Sequence, residues 1–132
     1  DSKSLLQKTY QLLKDDGIFV FSTPNTDSFE WICAKEKHVQ ILPPGHVNLM
    51  NWKCIDILLK NNSFRVIDAF TLNASLDLSY VKKLIKIYES EERAIGNFLW
   101  AEALNPYFER ILEEYLVSKK KAGNIVVIAQ KI

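Results

Sequence analysis

Apolar residues between 2 and 14 recur with the period of a helix. Leu5, Leu6, Thr9, Leu12 and Leu13 fall on one face of that stretch, SKSLLQKTYQLLK, as an amphipathic helix requires. Asp15-Asp16-Gly17 ends it, with Gly17 in the usual place just past a helix terminus. The pattern then becomes a short unbroken apolar run, Ile18-Phe19-Val20-Phe21-Ser22. A run of that length predicts a strand buried on both faces, in a sheet between helix layers. Thr23-Pro24-Asn25-Thr26 closes it.

Residues 26–42 read mainly as a loop over the sheet, with a short helix around Phe29, Trp31 and Ile32 as the alternative. Pro43-Pro44-Gly45 then makes a rigid turn, because each proline locks φ. Asn51 is a candidate N-cap for a helix over 52–61 that buries Cys54, Ile55, Leu58 and Leu59. Phe64–Leu72 reads as a second strand. From 77 to 121 the periodicity is helical again. One helix carries Tyr80, Val81, Leu84, Ile85, Ile87 and Tyr88, and an apolar patch follows at Phe98-Leu99-Trp100. Another helix starts at Asn105-Pro106 and buries Tyr107, Phe108, Ile111, Leu112, Tyr115 and Leu116. Gly123 ends that region, and Asn124–Lys131 forms the last strand. Helix, strand, helix, strand, helices and strand in turn predict one α/β domain over residues 1–132. Its core is 1–76 and 122–132, with a helical insertion at 77–121.

Composition narrows the function classes. Of 132 residues, 48% are apolar, enough for a core and against wholesale disorder. Seventeen Lys and Arg against sixteen Asp and Glu give a net charge of +1, which offers no electrostatic case for nucleic acid or an anionic membrane. Lys119-Lys120-Lys121 is the one dense basic run. It either offsets a helix dipole at that helix's end or forms a phosphate-binding patch. No apolar run approaches the roughly 18 residues that span a bilayer. Cys33 and Cys54 form no CxxC pair and no close His/Cys grouping, so no metal site is expected. Isolated thiols suit a reducing compartment, and the expected location is the cytoplasm.

Several local features carry a resemblance. A helix ending LLKDDG and leading into IFVFSTPN resembles the fourth helix and fifth strand of class I S-adenosylmethionine-dependent methyltransferases. ILPPGHVNLMNWKCIDILLKNNSFRVIDA is similar to the family's next segment: a Pro-Pro-x-His-x-Asn-Leu turn, a helix, an Asn/Gly-Phe turn and the sixth strand. GNIVVIAQK is similar to the seventh strand, which in that family inserts antiparallel between the fifth and sixth. The likeness covers about residues 2–72 and 123–131. It implies the C-terminal part of a Rossmann-like methyltransferase sheet, three strands with the last antiparallel, and a helical insertion between the last two.

One family feature is missing. The cofactor loop of these enzymes is rich in glycine, whereas the four glycines here, Gly17, Gly45, Gly96 and Gly123, are scattered. The resemblance therefore implies the substrate-side portion of an enzyme that moves a methyl group to a small-molecule acceptor. S-adenosylmethionine is expected in the complete enzyme, and no cofactor on this chain alone. The strand at 18–22 would lack a neighbour, and an open apolar edge invites pairing, so a homodimer is expected. The alternative is a non-catalytic dimerisation or regulatory module derived from the same fold.

Carried over residue by residue, the family's turn histidine is His46. As a general base it would deprotonate a hydroxyl acceptor; as a structural residue it would pin the turn. Asn25 follows a strand at its carboxyl end, where open α/β sheets bind ligands, and turn chemistry is its other reading. Phe29 and Trp31 are candidates to line an acceptor pocket, or to pack in the core. Asn48 is a substrate contact or a capping residue of the turn. His38, among the charges of KEKHVQ, is expected to be solvated.

Overall fold

The computed structural model describes residues 1–34, 38, 40, 41, 44–46, 48–72 and 106–132. Among them the order is α1 (Ser2–Leu12), β1 (Ile18–Pro24), α2 (Phe29–Ala34), α3 (Trp52–Lys60), β2 (Phe64–Leu72), α4 (Pro106–Ser118) and β3 (Asn124–Lys131). The three strands form one sheet in the order β1-β3-β2. β3 runs antiparallel to both neighbours, so β1 and β2 are parallel to each other. This is the α/β arrangement expected, with the last strand in the middle. The expected helix over Tyr80–Tyr88, the apolar patch at 98–100 and the cap at Asn105 lie outside the described residues.

Local chemistry accounts for the helix boundaries. The Asp1 carboxylate accepts from the Lys3 N–H at 3.0 Å and caps α1. The Asn51 side-chain oxygen accepts from the Cys54 N–H at 2.9 Å and caps α3 as expected. Both bonds satisfy donors that a helix start leaves open. At the far end of α1, the Lys131 ammonium donates to the Leu13 carbonyl at 2.9 Å and lies 4.5 Å from the centre of the Tyr10 ring. A cation there closes the negative end of the helix and ties it to β3.

The core lies on the sheet face that carries α1 and α3. Leu6, Ile55, Leu59, Phe64, Ile125, Val127 and Ala129 are buried in one cluster. Tyr10 meets Phe64 edge-on, with ring centres 5.9 Å apart. Antiparallel pairing brings Phe19 opposite Ala129 and Phe21 opposite Val127. A bulge between Val66 and Asp68 inserts Ile67 as an extra residue in β2. Beyond it the alternation reverses. Ala69 and Thr71 now face the core beside Val127 and Ile125, and Phe70 turns to the other side.

Several expectations need correcting. The run at 18–22 is not buried on both faces: Ile18 and Val20 are 57% and 58% exposed, because α1 and α3 both pack on the side of Phe19 and Phe21. Leu5 and Leu12 are exposed, while Leu6 carries the burial of α1. Cys54 is exposed, as are Tyr107, Ile111 and Tyr115, so α3 and α4 are narrower amphipaths than their apolar content suggests. Gly17 does not take the left-handed conformation after α1; Asp16 does, at φ 60°. A Cβ on Gly17 would crowd the Lys14 carbonyl oxygen at 2.7 Å, so close approach is what requires glycine there.

Candidate functional site

Chemistry collects where β1 and β2 end and β3 begins. Asn25, directly after β1, is 2% exposed. Its Nδ2 donates to the carbonyls of Lys120 at 3.2 Å and Ala122 at 3.0 Å, and its Oδ1 accepts from the Asp27 N–H at 3.0 Å. The Asn25 N–H donates to the Gly123 carbonyl at 2.8 Å, and the Phe29 N–H to the Lys121 carbonyl at 2.9 Å. The turn after β1 is thus sewn to the turn before β3. Thr26 donates to the Met50 carbonyl at 3.1 Å, and Asn25 and Met50 form a parallel bridge. That bridge brings the segment after the Pro-Pro-Gly turn alongside.

Residues 29–34 form a helix rather than a loop. The Ser28 hydroxyl accepts from the Trp31 N–H at 3.1 Å and starts it. Phe29 and Trp31 are half-buried. Between them Glu30 points inward, 6% exposed, and its Oε2 has no hydrogen-bond partner among the described residues. A Cβ on Gly123 would collide with that oxygen, so Gly123 is the cradle of this carboxyl. Burial pushes the Glu30 pKa up from 4.5 to about 7, with a hydrogen bond from Ser28 pulling the other way.

His38 is also buried, at 3% exposed, which overturns the expectation of a solvated side chain. Its ring packs against Trp31 with centres 5.1 Å apart. Its Nδ1 accepts from the Gln40 N–H at 3.2 Å, which leaves the ring proton on Nε2. That Nε2 has no partner among the described residues, and burial lowers the pKa of the ring. Gln40 in turn reaches the Asn124 side chain at 3.5 Å, so His38 and Glu30 are both held to the same end of β3. A buried carboxyl oxygen and a buried ring N–H, each without a partner among the described residues, stand out in a fold where buried polar groups are normally bonded. A carboxyl with a pKa near neutrality can also move a proton at ordinary pH.

His46 is exposed after Pro44-Gly45, and no described residue hydrogen-bonds to its ring. Asn48 is exposed and lines an apolar hollow of about 220 Å³ with Leu5, Phe19, Phe21, Met50 and Leu58. A second hollow, about 170 Å³, opens on the other side of Asn25 between Trp52, Phe70, Thr71 and Lys119–Lys121. The structure thus gathers Asn25, Phe29 and Trp31 at one end of the sheet and brings Asn48 beside it. Of the five candidates, Asn25 has its side-chain amide fully engaged in the backbone.

Sequence reasoning passed over Glu30 and misplaced His38. The available signal was a carboxyl set in an apolar stretch, Phe29-Glu30-Trp31-Ile32, in a chain whose late glycine stands next to a strand. Among the described residues no group of three or more His, Cys, Asp or Glu side chains could hold a metal ion. No helix among them is long and apolar enough to cross a membrane. No family model matches the chain, and no curated protein matches it.

Proposed function

We propose that the chain is the C-terminal, substrate-side portion of a cytosolic S-adenosylmethionine-dependent methyltransferase acting on a small-molecule acceptor. The observation that carries this reading is the strand order β1-β3-β2, with β3 antiparallel between two parallel strands. It agrees with the order that the sequence likeness implies. The placement of Asn25 at the carboxyl end of β1 supports it too, since open α/β sheets bind ligands there.

In this reading the protein orients the acceptor and excludes water around an in-line displacement. Phe29 and Trp31 form the acceptor-side wall, Asn48 stands at its rim and His46 is the base on the exposed turn. Glu30, with its pKa near 7, is a second base when the acceptor is a hydroxyl. Asn25 positions the turns rather than the substrate, because its amide is already bonded on every side. The cofactor is bound by residues outside these 132, which hold no glycine-rich loop.

The test is cofactor binding by the protein expressed from its complete reading frame, however far that extends. Saturable calorimetric binding of S-adenosylmethionine by that protein, with no heat from residues 1–132 alone, is the expected result. A complete protein that neither binds the cofactor nor encodes a glycine-rich loop after a strand overturns the proposal. The module reading draws on one observation, the exposed Ile18 and Val20 on a strand that pairs, among described residues, only with β3. It predicts a stable dimer in solution with no cofactor affinity in any length of the protein.

A further inference from the structure

The hollow beside Asn25 has a wall that the methyl-transfer reading does not use. Helix α4 ends in a closed turn: Lys121 N–H donates to the Leu116 carbonyl at 2.7 Å, and Lys120 N–H to the Val117 carbonyl at 3.0 Å. These are the paired bonds of a Schellman closure, in which the residue at the left-handed position is usually glycine. Here it is Lys120, at φ 57°. A side chain in that conformation is disfavoured, and such positions concentrate at binding sites. The cost is met by fixing the turn from outside. Asn25 Nδ2 donates to the Lys120 and Ala122 carbonyls, and Phe29 N–H to that of Lys121.

The turn lines, with Lys119, Lys120 and Lys121, a hollow of about 170 Å³ whose floor is apolar, made of Ala69 and Ile125 beside Trp52. The Lys120 ammonium lies 5.5 Å from the centre of the Trp52 ring. Lys119 lies 5.7 Å from that of Tyr115. Among the described residues none of the three lysines pairs with a carboxylate, and Asp27 is the only acidic residue on the rim. The ammonium groups of Lys119 and Lys120 therefore have aromatic faces for company, not anions. The bulge in β2 adds to the space, since it turns the small Ala69 and Thr71 toward this side of the sheet.

We propose that this hollow binds a small aromatic anion: a single ring lying against Trp52, bearing a phosphate or carboxylate met by Lys120 with Lys119 or Lys121. A free inorganic anion would gain the charge but leave the apolar floor wet. A neutral ring would cover the floor but leave the lysines unanswered. Only a ligand with both parts uses the whole site. The inference stands on the hollow and the lysine turn and does not depend on methyl transfer.

Phenyl phosphate is the probe, titrated calorimetrically at low ionic strength into the 132-residue chain, with inorganic phosphate and benzyl alcohol for comparison. Phenyl phosphate should bind saturably, and both comparison ligands at least about tenfold more weakly. Lys120→Gly relaxes the left-handed position, so the melting temperature should hold or rise while phenyl phosphate affinity falls about tenfold or more. Lys120→Gln keeps a flexible polar side chain, one atom shorter, without the charge and should lose affinity to a similar degree. Absence of saturable binding by the wild type overturns the proposal. So does equal affinity in a folded Lys120→Gly chain, or inorganic phosphate binding as tightly as phenyl phosphate.

Discussion

Replacing Glu30 by Gln isolates the energetic consequence of burying a carboxyl against Gly123. The folded-state pKa of Glu30 is about 7, raised from 4.5 by burial. Below pH 4.5 the group is neutral in both folded and unfolded chains, so its burial costs little. As the pH rises from 4.5 through 7 the unfolded chain ionises first, and stability is lost over that window. Above 7 both states are charged and the loss levels off. At about 1.4 kcal/mol per tenfold change in proton affinity, the rise from 4.5 to about 7 is worth at most about 3–4 kcal/mol. Relaxation of the fold around the charged carboxylate brings the expected value to about 2 kcal/mol. His38 works in the opposite sense: burial lowers its pKa, so its contribution is present above 6.5 and lost as the pH falls below. The variant is therefore compared with the wild type at each pH, which cancels the histidine. Urea unfolding followed by circular dichroism at pH 4.5 and pH 8 should give nearly equal stabilities at the lower pH. At the higher pH Glu30→Gln should be more stable by about 2 kcal/mol. Gly123→Ala supplies an independent arm: the new Cβ takes the space of Oε2, drives the carboxyl into water and should flatten the same pH window. A wild type and a Glu30→Gln chain with parallel stability curves from pH 4.5 to 8 would refute the burial argument outright.

Three further outcomes follow from single contacts. Asn25→Ala leaves the Lys120 and Ala122 carbonyls and the Asp27 N–H without their partner and should cost about 2–4 kcal/mol in thermal unfolding; a change under about 0.5 kcal/mol would contradict its place in the structure. Asn51→Ala removes the cap on the Cys54 N–H and should cost about 1 kcal/mol in urea unfolding, whereas Asn51→Gly should cost only a few tenths. Cys54 is an exposed free thiol, so native protein should react with an aromatic disulfide reagent by one more equivalent than its Cys54→Ser variant; equal stoichiometry would place Cys54 in the core after all.

Much of the fold was legible because its signals are local. Asn51 followed by an apolar helical stretch, and the unbroken apolar run from Ile125 to Ala129 in the last strand, each fix an element by chemistry within a few residues. What escaped depends on contacts distant in sequence. His38 sits among Lys35, Glu36 and Lys37, which reads as a solvated stretch, yet packing against Trp31 buries it. Ile18 and Val20 look like core residues, but both flanking helices lie on the other face of the sheet, and no local pattern says which face is covered. The extra residue at Ile67 reverses the alternation of β2 without glycine or proline to announce it. Cys54 and Ile55 are adjacent on one helix; only the direction of α3 against the sheet decides that the second is buried and the first is not.

The same distinction between local and distant contacts sorts the candidate residues by what their substitution would mean. Asn25 is the most buried of the five and stands where α/β ligands bind, yet every polar atom of its side chain is bonded to the backbone. To contact a ligand it would have to release the turns around it, so any effect of its loss on binding runs through the placement of Lys120 and of α2. Glu30 and His38 are the reverse case. Each presents a polar atom that the fold has desolvated and left unanswered, a state that costs free energy unless something else at that position uses it. The lysines of the α4 turn are a third case, charged and exposed, with Lys120 held in the left-handed conformation. A substitution that alters stability without altering binding marks a residue of the first kind. One that leaves or raises stability while abolishing binding marks the second or third. On the contacts present here, Lys120 and Glu30 belong to that latter group and Asn25 does not.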